Sequence, residues 1–334
     1  MQKRNLLIII LFLFTGTIGW SAERIWQNFD FDWQFRLGEQ GIYKPVQLPH
    51  DWSIELDFNE EVGPESGYLP GGIGYYKKDF NVPASYKGKR VSIVFDGIYH
   101  KATIYLNGQE VDYHRYGYTS FETDLTPYLK YGGKNTLSVK VDHSEKSRWY
   151  TGSGIYRHVW MQVTNPIHVK MWGTYITTPR VSAESAIVSC VTTVANTSAL
   201  TGEIEIMQRI VDAQGNLLKI NGKQYAARTE VVMPENGTKD IAQSFTLSNP
   251  QLWNLEKPYL YRLETILKQK GKVIDRYTTR FGVRTIGFDK DKGFFLNGKN
   301  IKMKGACLHQ DAGCLGVAVP NLSLIHISEP TRPY

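Results

Sequence analysis

The residues best suited to chemistry lie near the end of the chain, where residues 293–311 have the sequence GFFLNGKNIKMKGACLHQD. This stretch ends on His309 and Asp311, an imidazole and a carboxylate two positions apart. An imidazole offers a hydrogen-bond donor and an acceptor, and a carboxylate offers acceptors. The pair could therefore hold a ligand that presents hydroxyl groups.

The elements that must position this pair can be predicted from the same stretch. Asn297-Gly298 favours a type I′ turn, because both central positions of that turn take positive φ, and it predicts a hairpin between residues 294–296 and 301–303. The chain then continues through small residues to His309. A strand that ends in a His and a carboxylate resembles the first strand of a (β/α)₈ barrel, whose active site lies at the C-terminal ends of the strands. Such a barrel needs about 250 residues, so we expect residues 286–320 to be only the start of a catalytic domain.

Residues 23–167 are predicted to form an all-β sandwich, because short alternating strands are separated by Gly, Pro and Asn. Residues 91–95 and 102–106 alternate, and Asn107-Gly108 predicts a second hairpin. Residues 168–285 carry a further set of strands and turn signals, and their length suits one immunoglobulin-like sandwich. The fold class predicted is therefore mainly β, with two sandwiches and then the first strand of an incomplete barrel.

Several segments resemble family 2 of the glycoside hydrolases. They are LPHDW at 48–52, GGIGYY at 71–76, YGYTSFETDLT at 116–126, SRWYTGSGIYRHVW at 147–160 and NPQLWNLEKPYLY at 249–261. The first four are similar to that family's jelly-roll sugar-binding domain, and LNGKNIKMKGACLHQD is similar to its entry into the barrel. The resemblance implies a glycosidase whose His309 and Asp311 hydrogen-bond hydroxyls of the terminal sugar. The alternative for His309 is a cap on the strand or a core polar group.

Glycosidic bond hydrolysis needs a proton donor and a second carboxylate. The family supplies both as glutamates on later barrel strands, and nothing in this chain matches those strands. We therefore assign no catalytic residue here and interpret Glu122, Glu145 and Glu256 as ordinary polar residues of strands or turns.

Four more residues are candidate sugar contacts. Trp52 could stack on a sugar beside Asp51, although a core Trp with its N–H satisfied and an Asp that caps a turn is the interpretation we favour. Arg148 and Trp149, with Tyr150, are better candidates because polar and aromatic groups cluster there before a glycine-containing turn.

For three other residues of these motifs we do not predict a contact with the sugar. Arg157 and Trp160 are expected to brace the jelly roll against the barrel. Tyr116 occupies the position where large β-galactosidases of this family place a sodium-binding carboxylate, so sodium binding is unsupported, and we expect no metal and no cofactor.

The two ends of the chain differ from the rest. Lys3-Arg4, an apolar run over residues 6–14 and Ser21-Ala22 match a signal peptide covering residues 1–22, which predicts a secreted or periplasmic protein without a membrane anchor after cleavage. The apolar run is shorter than the roughly 20 residues that span a bilayer. Residues 321–334 are similar to translated sequencing-adapter sequence, and we predict that this tail is not native.

Composition excludes several classes of protein. The 334 residues are 42% hydrophobic and 13% aromatic, which predicts a globular chain. The net charge is +7, but the densest basic cluster, at 87–90, fits a solvated turn, so no nucleic-acid partner is expected. Cys190, Cys307 and Cys314 are too few for a disulfide framework and are predicted to be buried free thiols.

Two functions of different class remain open. The first is the N-terminal part of a secreted exo-β-glycosidase that acts on β-galactosides, because CLHQDAGCLGVAVP resembles the galactosidase branch; a β-glucuronidase or β-mannosidase is the enzymatic alternative. The second is a non-catalytic carbohydrate-binding or adhesive protein. An unpaired apolar strand at 301–311 would be an aggregation hazard in a self-contained binding protein, so we favour the enzyme and expect the chain alone to be inactive. Its predicted partner is a carbohydrate, and an oligomer is compatible with the sequence.

Overall fold

The computed structural model describes residues 23–145, 147–220, 223–305 and 312–320. Within these residues the chain forms two β-sandwiches in succession and a small third sheet, so the predicted fold class is confirmed. His309, Asp311, Cys307 and the predicted signal peptide lie outside the described residues. No helix among the described residues has the length and apolar character needed to cross a membrane.

The first sandwich packs a four-stranded sheet, in the order β1-β10-β5-β8, against a six-stranded sheet, in the order β3-β2-β4-β9-β6-β7. Its strands are β1 Ile25–Asn28, β2 Trp33–Leu37, β3 Lys44–Val46, β4 Gly72–Val82, β5 Arg90–Phe95, β6 Ala102–Leu106, β7 Gln109–His114, β8 Phe121–Asp124, β9 Gly133–His143 and β10 Val159–Thr164. Alternate residues of β6 and β9 point into one core, as the period of a half-buried strand requires. The core is rich in aromatic side chains and includes Trp33, Phe35, Trp52 and Tyr76.

The second sandwich packs a three-stranded sheet, in the order β11-β12-β17, against a four-stranded sheet, in the order β16-β13-β18-β19. Its strands are β11 Ile167–Val181, β12 Ser185–Asn196, β13 Gly202–Val211, β14 Lys219–Ile220, β15 Lys223–Gln224, β16 Ala227–Met233, β17 Gly237–Ser248, β18 Tyr261–Gln269 and β19 Lys272–Phe281. The strands β14 and β15 form a separate two-stranded ribbon. Cys190 is buried in this core as predicted.

The third sheet consists of β20 Ile286–Asp289, β21 Gly293–Leu296 and β22 Lys299–Asn300. The predicted turn is confirmed, since Asn297 and Gly298 have φ of 50° and 76°. The predicted second arm, residues 301–303, is wrong: β22 is Lys299–Asn300, because the two-residue turn pairs Leu296 directly with Lys299. Beyond Asn300, the Ile301 N–H donates to the Phe294 carbonyl across 2.9 Å. Asn297 also ties the sheet to the second sandwich, as its Nδ2 donates to the Trp253 carbonyl across 3.0 Å.

Short 3₁₀ helices punctuate the loops at Trp52–Glu55, Pro64–Ser66, Ala84–Tyr86, Thr126–Tyr128 and Gly313–Leu315. The last of these carries Cys314, which is exposed, so the prediction of a buried thiol is wrong for this residue. In this segment Gly316 and Val317 are the buried residues, packed against Asp51 and Gly152, and the turn leaves Cys314 at the surface.

The start of the described chain is attached to the second sandwich by a buried ion pair. The Arg24 guanidinium donates to both carboxylate oxygens of Asp275, across 3.1 and 2.9 Å, and their side chains are 3% and 0% exposed. Asp275 also accepts from the backbone N–H of Val169 across 2.8 Å, and the guanidinium lies over the Tyr277 ring. This pair therefore joins the first sandwich to the second in addition to the covalent link after β10.

Candidate functional site

The candidate site is a group of loops at one end of the first sandwich. Residues 147–155 lie at its centre. Their backbone pairs with the 50–52 segment on one side, where the Trp52 N–H donates to the Ser153 carbonyl across 3.1 Å, and with Tyr99 on the other, through two bonds of 2.9 Å with Gly154. A loop held from both sides by backbone hydrogen bonds has a defined shape before any ligand arrives.

Asp51 is the buried centre of these loops. Its Oδ1 accepts from the backbone N–H of Ser53 across 3.1 Å and of Ser153 across 2.8 Å. Its Oδ2 accepts from the Tyr150 hydroxyl and from the backbone N–H of Val317 across 3.0 Å. Four donors from three separate segments occupy a carboxylate that is only 2% exposed. Asp51 therefore organises the loops, and these donors leave little of its acceptor capacity for a sugar.

Segment 312–320 is thereby packed onto the first sandwich, although it is remote from it in sequence. Gly152 and Gly316 make this close approach feasible. A Cβ on Gly152 would lie 2.0 Å from a methyl carbon of Val317, and a Cβ on Gly316 would lie 2.3 Å from Asp51 Oδ2. Both glycines also have positive φ. This segment directly follows His309 and Asp311 in sequence, the residues predicted to bind the sugar. The chain just after that pair is therefore in contact with the loops that carry the other candidate residues.

Trp52 is a core residue. Its side chain is 1% exposed and stacks on Phe35 at a ring distance of 5.3 Å, and its Nε1 donates to the Gly71 carbonyl across 3.2 Å. Asp51 is the N-cap of the 3₁₀ helix that begins at Trp52. This placement supports the core and cap interpretation of both residues, since a buried indole offers no face for a sugar.

Arg148 and Trp149, in contrast, lie at the surface of the loops. Arg148 is exposed, and Trp149 is 45% exposed with its Nε1 donating to the Tyr118 hydroxyl across 3.4 Å. The next residue, Tyr150, turns inward to Asp51. The structure thus brings Arg148, Trp149 and Asp51 into one group of loops, with only the first two accessible to a ligand.

A hydrogen-bonded chain that sequence reasoning missed runs beneath these loops. His143 Nδ1 lies 2.6 Å from the Ser153 hydroxyl, which lies 2.5 Å from the Ser53 hydroxyl, which donates to the Pro70 carbonyl across 2.8 Å. Each hydroxyl has one proton to donate, so Ser153 donates to Ser53 and the proton between Ser153 and the imidazole lies on Nδ1. Burial, assisted by the nearby His100, lowers the pKa of His143 to about 4, and the ring is neutral at neutral pH. The outermost of the four residues, Ser53 and Ser153, are 100 positions apart, and no local pattern relates the four.

A cavity of about 390 Å³ opens between residues 59–72 and residues 143–151. Its walls carry polar side chains of Asn59, Glu61, His143 and Glu145. These polar side chains can form hydrogen bonds with a polar ligand in place of the water that surrounds it in solution. No three metal-ligating side chains among the described residues are arranged to hold a metal ion.

The three glutamates that we excluded as catalytic groups have other partners or positions. Glu122 lies 2.5 Å from Arg90 Nη1 and 2.7 Å from the Ser92 hydroxyl. Burial opposes ionisation of Glu122, but Arg90 and Ser92 together leave its pKa below the ordinary value. Glu145 pairs with Lys101, and Glu256 is exposed in a turn.

The motif residues Arg157 and Trp160 also lie near this end of the sandwich. Trp160 Nε1 donates to a carboxylate oxygen of Asp96 across 3.0 Å. Arg157 is exposed and lines a second cavity, of about 340 Å³, together with Asp96 and Tyr118. Their predicted role in bracing a barrel stays a prediction.

Two family models match this chain. The model for the sugar-binding domain of glycosyl hydrolases family 2 matches residues 30–166, and the model for glycosyl hydrolases family 2 matches residues 167–284. Together they cover most of the described residues.

Similar proteins carry related names. A β-galactosidase of Bacteroides ovatus is 41% identical over 309 residues, which is 87% of this chain and 35% of the relative. A β-glucuronidase of Formosa agariphila is 30% identical over 85% of this chain and 32% of the relative. The chain thus spans about a third of the length of these relatives.

Solved structures of similar proteins superpose on the fold of this chain. A family 2 glycosyl hydrolase of Bacteroides cellulosilyticus superposes with a TM-score of 0.81 at 37% identity, over 88% of this chain and 40% of that one. A β-glucuronidase of Bacteroides uniformis superposes with a TM-score of 0.80 at 28% identity, over 91% of this chain and 38% of that one.

Proposed function

Because the chain belongs to family 2 of the glycosyl hydrolases, we propose that it is the N-terminal part of a retaining exo-β-glycosidase that removes terminal β-galactosyl units from oligo- or polysaccharides. The observation that carries the choice of sugar is the 41% identity to a protein named β-galactosidase, against 34% and 30% for relatives named putative β-glucuronidase and β-glucuronidase. The site loops support a carbohydrate ligand, since they present exposed aromatic and charged side chains beside cavities that carry polar side chains.

The chemistry is divided between this chain and the residues that complete the enzyme. Hydrolysis with retention needs a nucleophilic carboxylate and an acid/base carboxylate, and we place both outside this chain. The part described here shapes one wall of the site. Asp51 fixes residues 147–155 and the 312–320 segment relative to each other, while Arg148 and Trp149 contact the carbohydrate substrate.

The proposal is tested with the full-length enzyme and two matched substrates, 4-nitrophenyl β-galactoside and 4-nitrophenyl β-glucuronide. We expect kcat/KM to favour the galactoside by about a hundredfold, because a site built for a hydroxymethyl group leaves a carboxylate unpaired. The first-formed anomer, followed by proton NMR, should be β. A preference for the glucuronide would contradict the choice of sugar, and an α product would contradict retention.

The 334-residue chain serves as the control for where catalysis resides. We expect the purified chain to release no nitrophenol from either substrate. Turnover that disappears when Glu122, Glu145 or Glu256 is changed to Gln would show that the catalytic carboxylates lie in this chain after all.

We also propose that the protein is exported, since residues 1–22 have the charge, apolar run and small residues of a signal peptide. Cleavage after Ala22 leaves Arg24, which is bound to Asp275, as the second residue of the mature protein. Mass spectrometry of the exported protein should therefore give Glu23 as the first residue, and a mature protein that retains residues 1–22 would contradict export by this route.

A further inference from the structure

Three aromatic side chains form an exposed array on the site loops, which we call the Tyr118 platform: Tyr116, Tyr118 and Trp149. They are 60%, 40% and 45% exposed. Tyr118 is the middle member. Its ring centroid lies 5.8 Å from that of Tyr116, and its hydroxyl accepts the hydrogen bond from Trp149 Nε1. Large aromatic side chains grouped at the surface of a folded domain commonly mark a binding site.

The platform is held in place by contacts behind it. The Tyr118 ring packs on Tyr99 at 5.2 Å, and Gly117 lies so close to the Tyr99 ring that a Cβ would be 2.3 Å from it. The buried Tyr156 hydroxyl donates to the Gly117 carbonyl across 2.9 Å. Burial raises the pKa of Tyr156 to about 12, so this hydroxyl keeps its proton and the hydrogen bond. A ligand that binds here meets rings that are already ordered, which reduces the entropic cost of binding.

Hydrogen-bonding groups lie beside the platform. Tyr118 itself lines the cavity of about 340 Å³ with Asp96, Ser120 and Arg157. Ser147 and Tyr150, close to Trp149 in sequence, line the cavity of about 390 Å³. Flat apolar rings flanked by a carboxylate, a hydroxyl and a guanidinium suit a ligand with an apolar face and a polar rim.

A β-linked pyranose chain has that composition, because each ring carries C–H groups on its faces and hydroxyls around its edge. A row of three rings is larger than one sugar requires, and it accommodates consecutive units of a chain. We infer that the Tyr118 platform binds the sugar units that follow the terminal galactose, so that the enzyme acts on β-linked oligosaccharides in preference to short galactosides. This inference rests on the proposed function, which supplies the terminal galactose.

Binding to the 334-residue chain gives the first test. Isothermal titration calorimetry with galactose and with β-1,4-linked galacto-oligosaccharides of two to six units should show affinity that rises with length and then levels off. Tyr118→Ala should weaken binding of the longest oligosaccharide by about tenfold, the loss expected for one aromatic contact. Tyr118→Phe keeps the ring and should bind within about twofold of the unmodified chain, which separates lost stacking from lost folding.

Tyr175→Ala is the matched control, since Tyr175 is a 70% exposed tyrosine of the second sandwich, on β11. It should leave the affinity unchanged. Equal affinity for galactose and the hexasaccharide, or equal losses for Tyr118→Ala and Tyr175→Ala, would overturn the inference. The alternative occupant of the platform is a second copy of this chain, which sedimentation equilibrium would detect as a dimer. A dimer that Tyr118→Ala dissociates would also overturn the inference.

Kinetics of the full-length enzyme separate this inference from the proposed function. Tyr118→Ala should reduce the ratio of kcat/KM for the tetrasaccharide to that for 4-nitrophenyl β-galactoside by about tenfold. An unchanged ratio with active enzyme would refute the platform and leave the β-galactosidase proposal intact. Tyr118-dependent binding by an enzyme that hydrolyses no β-galactoside would support the platform and refute the proposed function.

Discussion

The carboxylate of Asp51 accepts a hydrogen bond from the backbone N–H of Val317 across 3.0 Å and so joins the first sandwich to a segment 266 positions later. The same carboxylate accepts from Ser53, Ser153 and Tyr150. A residue that a motif identifies as a sugar contact thus acts in the structure as a connection between loops. Its contribution to catalysis would come through the positions of its neighbours.

The first prediction concerns the charge of that carboxylate. Asp51→Asn keeps the size of the side chain but turns an NH₂ group toward N–H donors, which leaves buried donors unpaired. We expect the free energy of unfolding to fall by about 1–3 kcal/mol, measured by urea denaturation. Asp57→Asn is the control, because Asp57 is exposed in the same loop, and it should change stability by less than about 0.5 kcal/mol. Equal effects of the two changes would contradict the role of Asp51.

The second prediction concerns the close approach of Gly152 to Val317. Gly152→Ala adds a methyl group that overlaps the Val317 side chain at a residue with φ of 67°. Gly108→Ala isolates the cost of positive φ, about 1–2 kcal/mol, because Gly108 has φ of 85° and nothing within 4 Å of an added Cβ. We expect Gly152→Ala to be the more destabilising by about 1–3 kcal/mol.

Limited proteolysis shows which segment of the protein is destabilised by the steric overlap in Gly152→Ala. Cleavage within residues 312–320 should become faster than in Gly108→Ala, because the overlap is relieved when this segment detaches. Val317→Ala in the Gly152→Ala background should restore part of the stability. If it restores none, the steric explanation is wrong.

The third prediction concerns the buried ion pair between the sandwiches. Arg24→Ala leaves the carboxylate of Asp275 buried with the Val169 N–H as its remaining hydrogen-bond partner among the described residues, and we expect the free energy of unfolding to fall by about 3–5 kcal/mol. Glu23 and Arg276 form an adjacent pair at 2.7 Å with side chains 41% and 43% exposed, so Arg276→Ala should cost less than about 1 kcal/mol. The free energies of unfolding of both variants are measured by urea denaturation under the same conditions. Similar losses in the two variants would contradict a larger contribution from the buried pair.

The fourth prediction concerns pH. The pKa of His143 is about 4 in the folded protein, against 6.5 for an ordinary histidine. Between these values the unfolded chain binds the proton and the folded chain does not, so stability is full above pH 6.5 and falls as the pH decreases toward 4. His143 should contribute up to about 3 kcal/mol to this fall.

The His143→Gln variant reports that contribution by difference. It has no imidazole to protonate at this position, so its unfolding free energy should decline less steeply than that of the unmodified chain between pH 6.5 and 4. Parallel curves over this interval would show that His143 does not carry the pH dependence. Asp142 raises the pKa of His143 and His100 lowers it. Both residues remain in the variant, so the difference between the two curves reports the loss of the His143 imidazole.

The elements of the fold were predictable where local chemistry decides them. The strand β6 Ala102–Leu106 coincides with the predicted one, and Asn107 and Gly108 have the positive φ that their turn requires. Alternation of apolar residues and an Asn-Gly pair act within a few positions of the chain. The bounds of β22 were wrongly predicted, because the two-residue turn pairs Leu296 directly with Lys299 and so starts the second arm at Lys299 instead of Ile301.

The site was less predictable, because its contacts join distant residues. Nothing near Asp51 in sequence indicates Val317, and nothing near His143 indicates Ser53. The same motif, LPHDW, fits both an exposed Trp52 and a buried one, and only packing against Phe35 decides between them. The segment 116–118 carried a usable signal, a glycine between two tyrosines, but no local pattern indicated that Trp149 lies beside it.

The pairing of Arg24 with Asp275 has a consequence for the order of events as the chain is made. The two residues are 251 positions apart, and synthesis proceeds from the N-terminus. Arg24 is therefore among the first residues available, but its partner is completed only after nearly all of both sandwiches has been synthesised. Until then the cationic side chain at the start of the chain has no buried carboxylate to meet, and the junction between the domains is the last part of this region that can reach its final arrangement.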